Sequence, residues 1–231
     1  MKKISFILLV IFNLLSCKSN DDTVPTQPQN YNILSLGDSY TVGQSVCETC
    51  GYPEQLKDSL ATRFNIEDTF NLKVIAKTGW TTTNLIDAIN EENLTFDYDL
   101  VTLLIGVNNQ FQGGSFEIFE IEFNDLVNTS IALAKGNKNR VLIINIIDYA
   151  NTGFGQAFGG PVITEELTAY NAYIENYCNQ NNLSLVDAQN LIFTAPTNPE
   201  LIAPDDLHPS ELAYSYLVTQ LLPLANEILI E

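Results

Sequence analysis

Histidine is all but missing from this chain: there is one, His208, in 231 residues. That excludes a metal site built on several imidazoles and draws attention to the surroundings of the single ring. Basic residues are scarce as well, 10 Lys+Arg against 28 Asp+Glu, for a net charge of −18. So large an acidic excess argues against nucleic acid as a partner and against electrostatic adhesion to anionic lipid. Long apolar runs are absent after the first few residues. The one run present, Ile4 to Leu15 with Asn13 as its polar break, is too short for a mature membrane span. No internal repeat and no tight β-hairpin signal occurs, which leaves strands joined by longer crossovers.

Lys2 and Lys3 precede that apolar run, and Leu14-Leu15-Ser16-Cys17 closes it, the pattern of a secretory signal. The closing residues resemble the lipobox of bacterial lipoproteins. That resemblance implies a signal peptide over residues 1–16, lipidation of Cys17, a lipid bilayer as partner through Cys17, and a place in the bacterial cell envelope, periplasmic or outer-surface. Losing Lys2 and Lys3 takes the net charge to −20, but a lipid anchor holds through buried methylenes, not charge. Residues 17–30 then form a lipidated cysteine and a flexible tether, polar from Lys18 to Gln29 with Asp21, Asp22, Pro25 and Pro28. The acidic pair resembles export signals for the outer cell face. Residues 31–231 have the length of one domain.

Within that domain short apolar runs alternate with helical periodicity. Strands are predicted at Ile33–Leu36, Leu72–Ala76, Leu100–Ile105, Val141–Ile147 and Leu183–Asp187. A helix is expected over Tyr52–Phe64, another capped by Thr82 or Thr83, a long one after Gly113-Gly114, one capped by Thr164, and a last one over Glu211–Ile230, bent at Pro223. This order means βαβ units: an α/β fold, a doubly wound sheet of five parallel strands with helices on both faces. Ligands bind such sheets outside the carboxyl ends of the strands. Ser39, Gly79 and Asn108 each follow a strand and so share that edge. The stretch Ala150 to Pro161, with Gly153, Gly155, Gly159 and Gly160 around Phe154 and Phe158, reads either as a lid or pocket wall, or as a plain surface loop.

Two segments carry chemistry. In Gly37-Asp38-Ser39 the first strand ends in a turn, the glycine permitting a sharp bend and the serine standing near a helix start that favours a developing anion. In Pro204-Asp205-Asp206-Leu207-His208-Pro209 a carboxylate three residues before the imidazole can orient it. Serine needs a base to take its proton, and histidine titrates in the right range. Asp205 and Asp206 are both acidic; the spacing favours Asp205. Cys47-Glu48-Thr49-Cys50 is open to three readings: a redox pair, half of a zinc site, or a short disulfide pinning the loop past the serine turn. Zinc would need two more ligands, with only Cys178 and His208 left. A redox motif should open a helix directly after a strand. The disulfide is favoured, with Cys178 a buried free thiol.

Gly37-Asp38-Ser39, Gly79, Gly106-Val107-Asn108 and Asp205-Asp206-Leu207-His208 stand in the order of the four motif blocks of the SGNH, or GDSL-type, serine hydrolases, which the chain resembles over the whole mature domain. The resemblance implies a three-layer flavodoxin-like fold and ester hydrolysis through an acyl-enzyme, with Ser39 as nucleophile, His208 as base and then acid, and Asp205 as its orienting carboxylate. It places the oxyanion hole at the backbone N–H groups of Ser39 and Gly79 and the side-chain amide of Asn108. It implies no metal and no organic cofactor. Two positions depart from the family pattern. Tyr40 replaces a leucine, which should alter packing beside the nucleophile, and Asn109 replaces an aspartate, which should weaken a hydrogen bond holding the third block. Trp80, Phe111, Phe154 and Phe158 would suit a pocket for short acyl or aryl esters. The substrate class is then a small-molecule or glycan ester and the oligomeric state a monomer. Alternatives are a lysophospholipase or thioesterase of the same fold, or a non-catalytic surface lipoprotein binding glycan or protein.

Overall fold

The computed structural model describes residues 27–230. The expected signal peptide, Cys17 and the tether as far as residue 26 lie outside the described residues. Ordered pairing begins just before the expected domain start: Gln29 N–H donates to Asp68 Oδ1 at 2.8 Å, and the first strand opens at Asn30.

Five strands, β1 (Asn30–Gly37), β2 (Thr69–Ala76), β3 (Leu100–Leu104), β4 (Val141–Ile144) and β5 (Ser184–Val186), form one parallel sheet in the order β2-β1-β3-β4-β5. Every residue of β3 and β4 is buried, as a central parallel strand covered on both faces requires. Among the described residues the α-helices are α1 (Ser39–Val42), α2 (Tyr52–Ala61), α3 (Thr82–Glu91), α4 (Val107–Phe111), α5 (Phe116–Leu133), α6 (Gly153–Phe158), α7 (Pro161–Asn181) and α8 (Glu211–Ile230). Helices α2 and α8 pack together, with Tyr52 and Tyr214 ring centroids 6.5 Å apart. Helices α3, α5 and α7 form a second layer, where Phe119 and Phe123 of α5 meet Tyr170, Tyr173 and Tyr177 of α7. Among the described residues no helix is long and apolar enough to cross a membrane.

The expected elements are present, with shifted ends. Helix α2 stops at Ala61, and Phe64 instead packs on Tyr31 and Phe70 beside the sheet edge. Thr81, not Thr82 or Thr83, caps α3, because Asn84 Oδ1 accepts from the Thr81 N–H. Helix α7 begins at Pro161, where a proline needs no amide partner. Thr164 therefore lies inside the helix and donates to Asp148 Oδ2 at 2.6 Å. The glycine-rich stretch is not a plain loop: it contains α6, whose cap Thr152 accepts from Gly155 N–H. Helix α8 runs through Pro223.

In this strand order the chain leaves β1 toward β2 on one side and β3 on the other. The crevice at the carboxyl ends of β1 and β3 is the natural ligand site of such a sheet.

Candidate active site

Ser39 follows β1 directly and opens the single-turn helix α1, where it is almost fully buried. Gly37 matters here for closeness rather than for a special bend. Its φ is not positive, but a Cβ there would stand 2.3 Å from the Leu104 carbonyl and 2.1 Å from Thr41 Oγ1. The turn is tied by Asp38, whose Oδ1 accepts from Tyr40 N–H at 3.0 Å and whose carbonyl accepts from Thr41 and Val42. These bonds leave the Ser39 N–H out of the turn's pairing. Asp38 itself is buried, and its Oδ2 has no partner among the described residues. Burial pushes its carboxyl up to about 7 against the Tyr40 N–H bond.

His208 lies 160 or more residues downstream, yet it faces the same crevice. Its Nδ1 is 2.5 Å from Asp205 Oδ2, so the carboxylate fixes the proton on Nδ1 and presents Nε2 for base work. Asp205 Oδ1 accepts the backbone N–H groups of Leu207 and His208 at 3.1 and 3.0 Å. Partial burial alone would raise the Asp205 pKa. The Ser45 hydroxyl, the His208 N–H and imidazole, and the Leu207 N–H outweigh it and hold the carboxyl at about 2. Asp206 takes a different course: it adopts a left-handed φ of 61° and turns its carboxylate against Gly153. Of the two aspartates, Asp205 is the one brought to the imidazole.

Gly79 and Asn108 are fastened to each other's segments. Asn108 Nδ2 donates to the Trp80 carbonyl at 3.0 Å and Gln112 Nε2 to the Gly79 carbonyl at 2.8 Å. Gly79 has a φ of 85°, with nothing within 4 Å of where a Cβ would stand, so its need for glycine is conformational. Asn109, buried, accepts from Thr82 N–H at 3.0 Å and donates to Thr82 Oγ1 at 2.7 Å. An amide both donates and accepts, and here Asn109 uses both capacities to tie the second block to the third.

One cavity of about 200 Å³, chiefly apolar, collects Ser39, Gly79, Asn108 and His208 with Tyr40, Phe111, Tyr149 and Phe154 on its walls. Trp80 and Phe158 are not among its lining residues. Trp80 meets the site through its carbonyl, and Phe158 stacks on Phe154 with centroids 4.3 Å apart. Cys47 and Cys50 are bonded to each other and Cys178 is a buried free thiol, its pKa raised to about 11 by burial. Neither pair partner is therefore open to zinc.

The profile of the GDSL-like Lipase/Acylhydrolase family matches residues 35–216. The chain belongs to that family. Among solved structures it is similar to the acetylxylan esterase Axe2 of Geobacillus stearothermophilus, at 17% identity and a TM-score of 0.66, with 86% of this chain and 95% of that one covered. It is similar also to the psychrotrophic esterase EstA of Pseudoalteromonas sp., at 16% identity, TM-score 0.61, and 87% and 99% coverage. A lipolytic G-D-S-L protein of Veillonella parvula matches at 18% identity, TM-score 0.60, with 84% and 97% covered. A comparison with curated proteins finds no match.

Within the GDSL frame, Tyr40 does pack beside the chemistry: its buried ring stands edge-on to the His208 imidazole, with centroids 5.7 Å apart. Two residues escaped the sequence reading. Tyr149 follows β4 at the same sheet edge as the other site residues, so topology was a usable signal for it. Ser45 lies in an irregular loop and offers no signal at all.

Proposed function

We propose that this GDSL-family chain is a serine esterase acting on carboxylic esters through an acyl-enzyme on Ser39. The observation that carries the reading is the 2.5 Å contact of His208 with Asp205 in a cavity that Ser39 also lines. His208 Nε2 takes the Ser39 proton as Oγ attacks the ester carbonyl. The oxyanion is received by the N–H groups of Ser39 and Gly79 and by the Asn108 amide, which can donate without carrying charge. The imidazolium then returns the proton to the leaving alkoxide, and water repeats the sequence to free the acid. A cavity of about 200 Å³ with chiefly apolar walls suits short acyl or aryl esters. Glycan O-acyl groups fall within that size. The sequence at Leu14-Leu15-Ser16-Cys17 supports a lipid anchor on Cys17 in the cell envelope.

The test is hydrolysis of p-nitrophenyl esters of graded chain length by the protein and by Ser39→Ala. Turnover should peak at short acyl chains and fall on the order of 10⁶-fold in the variant. Turnover that survives in Ser39→Ala would remove the nucleophile from the mechanism.

A further inference from the structure

Ser45 stands six residues after the nucleophile, outside any helix or strand. We propose that Ser45 is a positioning residue, which holds the Asp205 carboxylate at the very oxygen that the His208 imidazole uses. Ser45 Oγ donates to Asp205 Oδ2 at 2.6 Å, and His208 Nδ1 meets the same Oδ2 at 2.5 Å. The other oxygen, Oδ1, is held only by backbone N–H groups of the histidine's own loop. Those two donors fix one corner of the carboxylate, and within that loop the other corner meets only the imidazole it has to orient. The Ser45 hydroxyl fixes the second corner from a segment 160 residues away in sequence.

The backbone around Ser45 is built to hold that hydroxyl in place. Ser45 has a φ of 67°, a left-handed conformation that costs a non-glycine residue and persists only where the surroundings impose it. The Ser39 carbonyl accepts from Gly43 and Gln44 N–H at 3.1 and 3.0 Å, and Gly43 accepts from Val46 N–H at 3.2 Å. Two residues on, the Cys47–Cys50 disulfide closes the next turn. The bonded path thus runs from the nucleophile's own carbonyl to Ser45, and from Ser45 to the carboxylate behind the base. One hydroxyl joins the two ends of the chain that must act together. The low pKa of Asp205, in which the Ser45 hydroxyl is the foremost lowering influence, agrees with this geometry.

The inference rests on the esterase reading above, and its test has one readout that does not depend on turnover. His208 is the only histidine, so protein made without a histidine tag gives a single imidazole Nδ1–H resonance. Two variants remove the hydroxyl: Ser45→Ala keeps the backbone strained, whereas Ser45→Gly relieves it and is expected to fold at φ > 0. Both should lower kcat about tenfold with KM unchanged within twofold, the scale of a lost hydrogen bond to a charged group. Both should also move the Nδ1–H resonance and speed its exchange with solvent. In an Asp205→Ala background, Ser45→Ala should cost nothing further in kcat. A loss confined to Ser45→Ala and absent from Ser45→Gly would trace the effect to backbone strain and overturn the proposal, as would an unmoved resonance in both. If the parent shows no Ser39-dependent turnover, the esterase reading fails. The resonance still decides the positioning claim, supporting it by a shift and overturning it by none.

Discussion

The two sides of the cavity are held by different kinds of force. Where Gly79, Asn108 and His208 converge, directional bonds do the placing: Asn108 to Trp80, Gln112 to Gly79 and Asn109 to Thr82 between segments, and Asp205 to His208 within one loop. On the opposite side Phe111, Tyr149 and Phe154 meet ring against ring, with centroids 5.8 to 6.5 Å apart. The side chains of that wall make one polar contact, from Tyr149 Oη to Gln110 Oε1 at 2.9 Å. Directional bonds fix atoms to the fraction of an ångström that proton transfer demands, whereas ring contacts tolerate exchange and sliding. Substitutions on the first side should therefore act on rate, and substitutions on the second on the choice of substrate.

The largest effect that separates the two sides is expected from Asn108→Ala. Losing one oxyanion donor costs roughly 100- to 1000-fold in kcat. The variant also leaves the part-buried Trp80 carbonyl without its Asn108 bond, a stability cost of about 1 kcal/mol. Steady-state kinetics beside a thermal melt should show a large fall in kcat, a KM within a few fold, and a small drop in Tm. A loss expressed in KM instead would mean that Asn108 belongs to the binding side, and the division would fail.

The bonded side was largely legible in the sequence and the aromatic side was not. Ser39, Gly79 and Asn108 each follow an apolar run, so the sheet topology puts them on one edge, and the order of the four motif blocks joins His208 to them. Asp205 could be preferred over Asp206 by spacing, but only the fold shows Asp206 turned away against Gly153. The ring wall depends on which face of a short helix points inward. Four rings were expected at the pocket: Phe111 and Phe154 line it, whereas Phe158 is 63% exposed and Trp80 offers its carbonyl. Ser45 was beyond reach for a further reason, since a contact spanning 160 residues from an irregular loop has no local pattern to betray it.

A smaller effect should divide the bonded side within itself. Asp38 and Asp205 lie in the two loops that meet at the site, and their carboxyls are shifted in opposite directions. Asp38 is raised from 3.8 to about 7 by burial. Its stabilising neutral form is fully available below about pH 4, and that contribution is lost as pH rises through 7. Asp205 is lowered from 3.8 to about 2, so its contribution is present above about pH 4 and is lost as pH falls toward 2. Asp38→Asn keeps an acceptor for Tyr40 N–H and removes the buried charge. It should raise Tm on the order of 5 °C at pH 8 and leave it nearly unchanged at pH 4. An equal shift at both pH values would mean that folding leaves the Asp38 pKa where it stands in the unfolded chain.

The smallest effects belong to the aromatic wall, where two neighbouring phenylalanines make the sharpest comparison. Phe154 and Phe158 stack on each other at 4.3 Å, yet only Phe154 lines the cavity. Phe154→Ala removes wall and lengthens the space beyond Ser39. The ratio of kcat/KM for an octanoyl over a butyryl ester should then rise roughly tenfold, the scale on which apolar pockets discriminate a few methylenes. Phe158→Ala removes an exposed ring that reaches the cavity only through Phe154, so the same ratio should stay within twofold. Should Phe158→Ala shift the ratio as far as Phe154→Ala does, α6 must act as one unit whose position depends on the stack. Shape on that side would then rest on ring packing beyond the cavity's own lining.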